Sequence, residues 1–542
     1  MLFNSIEFLF VFLPLTLLGF YWLGAISRTW ALGWLILGSL VFYGWWRPVN
    51  VLIIAPSIAV NFALARILLR LNEREGWRGA SKAVLSLGIT LNVAFLGFFK
   101  YTDFLSGAIN DVFGANLVLR HIILPLGISF ITFQKIAFLI DVQAGRVRSF
   151  SLRDYCIFVL FFPQLIAGPI VHYREMMPQF DATPCRFDKD NLAVGLTLLF
   201  FGLFKKVVFA DNIALFVTPI YEHSAAGGAT SFLMAWMAAI GFTLQIYFDF
   251  SGYSDMALGL ARLFGIRLPQ NFDSPLRASS IIDFWLRWHM TLTRFLTGYV
   301  YSPLALWLTR RRLSKGLSGF GGRNTTAGAF VYLLMFPIIM TMFLSGLWHG
   351  AGYGFIVWGL LHGFYITINH GWRLVATQLW PNRQKYDRFM EPAGLILTLL
   401  AVTAAMIFFR SPTMTSAMDL IKGMIGLNGI GLPQALFDHL GPLAQKLPAV
   451  GVVAESWSLR DFAKTIIWIS VLTFVALACP NTLQILSRYE PALGVTLQSA
   501  KLPTGSLMEW NASLPWAIGV SLIAAIGIIS IGGPSEFLYW QF

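Results

Sequence analysis

Apolar residues in this chain come in long unbroken runs, with few of the polar interruptions that give a soluble helix or strand its wet face. Runs near 6–24, 30–46, 48–69, 83–101, 119–141, 154–171, 192–213, 230–264, 328–347, 351–372, 391–410, 463–480 and 513–532 approach or exceed the length that crosses a hydrocarbon layer, about 30 Å thick. Each predicts a helix, because a backbone in lipid has to satisfy its own N–H and C=O groups. The count is eleven to thirteen crossing or re-entrant helices, and the run at 154–171, broken by Gly and Pro, is the candidate for re-entry. No fixed-period repeat and no inverted symmetry relates the two halves. The expectation is an all-α polytopic membrane bundle forming one domain over 1–542, with a modest extramembrane excursion at the polar strip 411–462.

The pattern changes between 273 and 310. There "DSPLRASSIIDFWLRWHMTLTRFLTGYVYSPLALWLTR" mixes aromatics with Arg277, Asp283, Arg287, His289 and Arg294. That is too polar for a lipid-facing span and suits helices at the interface or the walls of a watery cavity.

Composition supports the membrane reading. Of 542 residues, 57% are hydrophobic and 12% charged, about half the charge of a soluble domain. The net charge of +13 points first to cytoplasmic loops and anionic lipid. Its clusters are Arg66, Arg70, Arg74, Arg78 and Lys82, then Arg146, Arg148 and Arg153, then Arg310, Arg311, Arg312 and Lys315. All three are expected in the cytoplasm, and three runs precede the first, which places Met1 on the other side. No base-stacking or groove-reading motif accompanies the charge, so nucleic acid is not an expected partner. Cys156, Cys185 and Cys479 lack CxxC spacing, which argues against a disulfide framework or a thiolate metal site. The first run lacks a basic segment before it and reads as a retained span.

Several polar residues interrupt apolar helices. In "LQIYFDFSGYSDMALGLARLFG" these are Gln245, Asp249, Ser251, Ser254 and Asp255. A carboxylate at that depth costs about 2.5–3.5 kcal/mol on insertion scales unless paired or protonated. Such residues either bond to neighbouring helices or line a pathway, and the two readings weigh equally here. Lys135, in "LPLGISFITFQKIAFLID", either pairs with a buried acid or reaches for water. The Gly-Pro pair in "FFPQLIAGPIVHYREM" predicts a helix break near Gly168.

Among eight histidines, His362 and His370 read as satisfied core residues. His349 stands apart. It lies in "FLSGLWHGAGYGFIVWGLLHG", where no Asp, Glu, Lys or Arg occurs between Arg323 and Arg373. Three glycines follow within five residues; they weaken a helix by roughly 2–3 kcal/mol relative to alanine and so serve close approach of another helix or of a substrate. An imidazole kept from water is neutral at pH 7 and can take a proton from a hydroxyl, which is general-base chemistry worth about 10²–10⁴ in rate. No HxxxH or HExxH pair suggests a metal, and no GxSxG elbow suggests a serine hydrolase.

Together "FLSGLWHGAGYGFIVWGLLHG", "LQIYFDFSGYSDMALGLARLFGI", "NFDSP" with "DFWLRWHMTLTRFL", "LPLGISFITFQ", "FFPQLIAGPI" and "GLFKKVVFADNI" resemble the bacterial branch of the membrane-bound O-acyltransferases. The likeness is to the alginate O-acetyltransferase type, related to the teichoic acid D-alanyl transfer protein. Its motifs lie within about 124–372, and the tail "FLYWQF" also fits. The resemblance implies a helical bundle with a central funnel to a histidine, in the bacterial cytoplasmic (inner) membrane. His349 matches the catalytic position, and His289 the second histidine of this branch. The chain departs from the family in having Leu286 and Arg287, not two arginines, before Trp288 and His289, and in lacking a glycine pair after "YVYSPL".

The implied reaction moves an acyl group from a cytoplasmic thioester, most simply acetyl-CoA with no bound cofactor, to a hydroxyl of an exopolysaccharide or of an extracytoplasmic partner protein. His349 would be the base. His289, if protonated, or a nearby amide would stabilise the tetrahedral oxygen, and an acyl-histidine intermediate stays open. Gln245, Asp249, Ser251, Ser254, Asp255, Asn271 and Trp348 are the candidates for orienting the site. The basic "TRRRLSK" loop could dock an acidic acyl-carrier protein or the CoA phosphates, but a plain cytoplasmic loop is the favoured reading, since basic loops are the norm there. A polysaccharide or ion transporter and an export scaffold are the rival classes; another acyl group or donor is the rival within the class.

Overall fold

In the computed structural model eight helices among the described residues are long and apolar enough to cross a membrane. They are Phe8–Ile26, Val49–Asn72, Arg78–Phe113, Lys189–Ala225, Phe232–Leu263, Ala327–His349, Gln384–Arg410 and Leu459–Ala478. The described residues are 1–166, 168–182, 185–321, 326–380, 382–495, 508–533 and 538; most of the tail "FLYWQF" lies outside them. The remaining expected runs are helical in whole or in part; the run at 119–141 becomes helix only from Ile128. Arg28–Gly44, Ile128–Gln143 and Leu514–Ile529 are shorter, at 17, 16 and 16 residues. Tyr353–Leu379 has the length but carries His362, Asn369, His370 and Arg373. The run at 154–171 does break, earlier than expected. Helix Leu152–Leu160 ends at Phe161 (φ −51°, ψ 107°), and only one further turn, Phe162–Leu165, precedes extended chain. Pro163 in that turn has no N–H to continue the earlier ladder.

The centre of the bundle is Phe232–Leu263, with nearly every residue from Met234 onward buried. It lies against Lys189–Ala225 at two glycine pairs. A Cβ on Gly202 would come within 2.5 Å of the Gly252 carbonyl, and one on Gly259 within 2.5 Å of the Gly195 carbonyl. Without a hydrophobic drive between helices in lipid, such close backbone packing is what holds them. Ion pairs reinforce the contact. Lys206 Nζ sits 2.7 Å from Asp249 and 2.7 Å from Asp211, and Lys205 Nζ 2.6 Å from Asp255. Adjacent lysines point about 100° apart on an α-helix; here they begin a π-helical turn, Lys205–Ala210, and both reach the same neighbour.

Bonds between segments define the two ends. Asn72 Nδ2 donates to the carbonyls of Val142 and Gln143 (2.8 and 3.2 Å), which joins the first two basic clusters. Tyr299 links Asp141 to His172 (3.1 Å each), and Gln179 pairs twice with the Arg267 backbone. The excursion at 411–462 caps the opposite end of Phe232–Leu263. It holds helix Met414–Met424 and two parallel strands, Ile430–Pro433 and Val452–Glu455. Asp419 pins it by accepting bonds from Ser224 Oγ, Thr230 and Asn428 Nδ2.

Candidate active site

Helix Ala327–His349 ends on the histidine itself. The last carbonyls of a helix have no partner of their own, and here another helix provides them. Lys100 donates to the carbonyls of Trp348 and His349, and Tyr101 to that of Leu347. Neither Lys100 nor Tyr101 was picked out from the sequence. The available signal was a lysine, in "FFKYTD", near the far end of an otherwise apolar run.

The glycines after His349 serve helix packing. A Cβ on Gly350 would collide with the Phe355 ring at 2.1 Å, and one on Gly354 with the Phe408 carbonyl at 2.3 Å. One turn before the histidine, Gly346 lies against Gly359, Cα to prospective Cβ 3.1 Å. The hairpin between the two helices is thereby drawn tight, and the imidazole sits at its tip.

Its surroundings are aromatic: Trp348, Trp358 and Phe409 ring centroids lie 4.8, 5.0 and 5.2 Å from His349. His289 is 6.5 Å away, ring to ring, at 61°. The two histidines that the sequence singled out, sixty residues apart, do meet.

His289 is fixed from several directions. Its backbone is left-handed (φ 43°, ψ 51°), a conformation uncommon outside glycine, at the start of helix Met290–Leu296. Met290 N–H donates to the Asn271 carbonyl (2.9 Å), and Asp273 N–H to that of Arg287 (3.0 Å). The His289 Nδ1 lies 3.0 Å from Asn271 Oδ1, which also accepts from the Thr291 N–H (3.3 Å) and Oγ1 (2.9 Å). A backbone N–H can only donate, so the atom facing His289 is the amide oxygen. His289 therefore carries its proton on Nδ1, and in the neutral ring the lone pair is on Nε2. Asn271 Nδ2 completes the chain to Ser254 Oγ at 3.2 Å. Phe250, on the central helix, packs edge-on to His289 at 4.7 Å, which puts the pair near that helix's midpoint.

The other candidates divide. Asn271 and Ser254 belong to the site through His289. Trp348 packs beside both histidines, 6.0 Å from His289 and 4.8 Å from His349, and stacks on Phe133 (5.3 Å). Asp249, Asp255 and Ser251 face the lysines of Lys189–Ala225 and work as interhelical ties, with Ser251 accepting from Lys205 at 3.4 Å. Gln245 is buried on the same helix, and its Oε1 has no hydrogen-bond partner among the described residues. Among the described residues Lys135 pairs with no acid; it is fully buried, donates to Ser57 Oγ and lies over the Phe95 ring. His362 is a core residue, as expected. Its Nδ1 accepts from Trp285 Nε1 at 3.2 Å, its Nε2 has no partner among the described residues, and its ring packs on Trp358 at 4.9 Å. His289 and His362 have no exposed surface, whereas His349 keeps 5%. His370 lines an apolar cavity of about 340 Å³ with Trp285, Thr341 and Met342. No group of three His, Cys, Asp or Glu suited to a metal occurs among the described residues.

Comparison with known proteins places this arrangement. A sequence model of the membrane-bound O-acyltransferase family matches residues 82–320, a stretch that includes His289 and stops short of His349. The peptidoglycan O-acetyltransferase of Helicobacter pylori is 38% identical over 80% of this chain and 81% of its own length. The probable alginate O-acetylase AlgI of Pseudomonas aeruginosa is 32% identical over the whole of both chains. The teichoic acid D-alanyltransferase of Streptococcus thermophilus is 28% identical over 52% of this chain and 68% of its own. Full-length likeness at this level, on a multi-pass helical bundle, makes the chain an O-acyltransferase belonging to the membrane-bound O-acyltransferase family.

Proposed function

We propose that this protein moves an acetyl group from acetyl-CoA, arriving at the face with the basic clusters, to a hydroxyl on a cell-surface polysaccharide, directly or through an extracytoplasmic partner protein. The observation that carries this reading is the meeting of His349 and His289 at 6.5 Å near mid-bundle. His349 takes the proton of the incoming hydroxyl as its oxygen attacks the thioester carbonyl. The tetrahedral intermediate then collapses, the C–S bond breaks, and His349 returns the proton to the departing thiolate. His289, with Nδ1–H committed to Asn271, offers the tetrahedral oxygen a second N–H only when its Nε2 is also protonated. A passage to His349 from both faces is part of this proposal.

The relatives named for alginate and for peptidoglycan suggest two polymers as acceptor. Mass spectrometry of wall and secreted polymer from cells with and without the protein identifies which one carries the ester. His349→Ala is expected to abolish those esters, a loss of about 10²–10⁴ in rate, with normal protein level and polymer export. Persistence of the esters in that variant rules out the mechanism, and loss of export alongside them favours a transporter or scaffold.

A further inference from the structure

The largest of the described cavities, about 940 Å³, lies away from the histidines, between Tyr353–Leu379, Arg383–Arg410 and the Ser279–Ile281 turn. We propose that it binds one ammonium-bearing, zwitterionic phospholipid. This goes beyond the acyl-transfer reading and does not depend on it.

The argument starts from what lines the upper part. Trp380 packs between Trp372 and Tyr386, ring centroids 5.8 Å from each, and Trp372 Nε1 donates to Tyr386 Oη at 2.8 Å. These rings form an aromatic wall in which Trp380 is 43% exposed. Asp387 and Glu391 line the same space. Aromatic faces beside carboxylates suit an organic ammonium group. Arg373, lining the same cavity, gives one of its five donors to Ser280 Oγ at 3.3 Å, which leaves the guanidinium to engage a phosphate. A cation site and a phosphate site within one cleft match a phosphoethanolamine headgroup; the two acids disfavour a purely anionic one.

The lower part identifies the source as lipid. The lining continues along Leu397, Thr398 and Ala401 and, on the facing helix, Ile368. Ile368 and Leu397 are 67% and 60% exposed, and Leu397 lies on a helix long and apolar enough to cross a membrane. From Tyr386 to Ala401 the helix rises about 22 Å, enough for an acyl chain to run beside it within one leaflet of a core about 30 Å thick. Tryptophan and tyrosine at the mouth match the headgroup level of a membrane. The floor is closed where Gly394 meets the Ser279 carbonyl, 2.2 Å from a prospective Cβ.

The test uses the full-length protein, delipidated in detergent and examined by native mass spectrometry with added dioleoyl phosphatidylethanolamine, dioleoyl phosphatidylglycerol or soluble glycerophosphoethanolamine. One phosphatidylethanolamine per chain is expected, retained at least tenfold better than phosphatidylglycerol, and the soluble headgroup should not displace it. Arg373→Ala and Trp380→Leu should each weaken retention about tenfold, with elution volume and melting temperature unchanged. The pair Asp387→Asn and Glu391→Gln should narrow the preference over phosphatidylglycerol. Equal retention of both lipids, or variants that bind as the wild type does, would mean annular lipid only and overturn the proposal. Displacement by the soluble headgroup would overturn it too, since the cavity would then serve a water-soluble ligand.

Discussion

Lys100 shows how one residue can hold the backbone that carries the proposed base, His349. Its ammonium and the Tyr101 hydroxyl satisfy the final carbonyls of the helix that ends on His349. Replacing Lys100 by Met leaves two buried acceptors unpaired, each worth about 1–3 kcal/mol, at the turn that aims the imidazole. Acetyl transfer by Lys100→Met protein in vesicles is expected to lose at least about tenfold in kcat, with KM for the donor little changed. A rise in KM at constant kcat would instead assign Lys100 to donor binding. The same scale explains why Asp249 and Asp255 could not be sorted from the sequence. A buried carboxylate reads alike whether a lysine or a substrate faces it, and only the partner across the helix contact decides.

At the scale of elements, the contact between Lys189–Ala225 and Phe232–Leu263 combines two glycine pairs with a double ion pair. Removing one partner of a buried pair strands the other charge, at about 3–5 kcal/mol, whereas removing both partners costs far less. Lys206→Met is therefore expected to lower the melting temperature of the purified protein sharply, and adding Asp249→Asn and Asp211→Asn should restore much of it. If the single variant melts as the wild type does, the glycine packing alone holds these helices. The π-helical turn that brings Lys205 and Lys206 onto one neighbour left no trace in the hydrophobic pattern, because widening a helix by one residue moves side chains without altering composition.

For the whole molecule, sidedness is the property that links structure to a transmembrane reaction. The first two basic clusters share one end, and the strand-bearing excursion caps the other end of a 32-residue helix, about 48 Å long. Single cysteines introduced at Arg74 and at Leu427, with the three native cysteines replaced, should react with an impermeant maleimide from opposite sides. In intact spheroplasts only the Leu427→Cys protein is expected to label, and in inverted vesicles only the Arg74→Cys protein. The reverse pattern would invert the proposed direction of transfer, and labelling of both from one side would remove the basis for it.

The sequence alone determined that the chain lives in a bilayer and is built of helices. Both follow from local rules, namely the cost of exposing apolar runs to water and of leaving backbone groups unsatisfied in lipid. It also singled out His349 and His289, since an imidazole in a charge-free stretch and a histidine in a polar-aromatic one are visible as local exceptions. Tertiary structure alone decided that these two rings meet, that Asn271 sets the proton on one of them, and that Lys100 seats the other. It also settled that Gly346 and Gly359 draw the two hairpin helices together and that Gly354 of "WHGAGYG" lies against a third. Each of these depends on residues far apart in the chain being brought within a few ångströms, and no local pattern of hydrophobicity or charge encodes which distant side chain arrives.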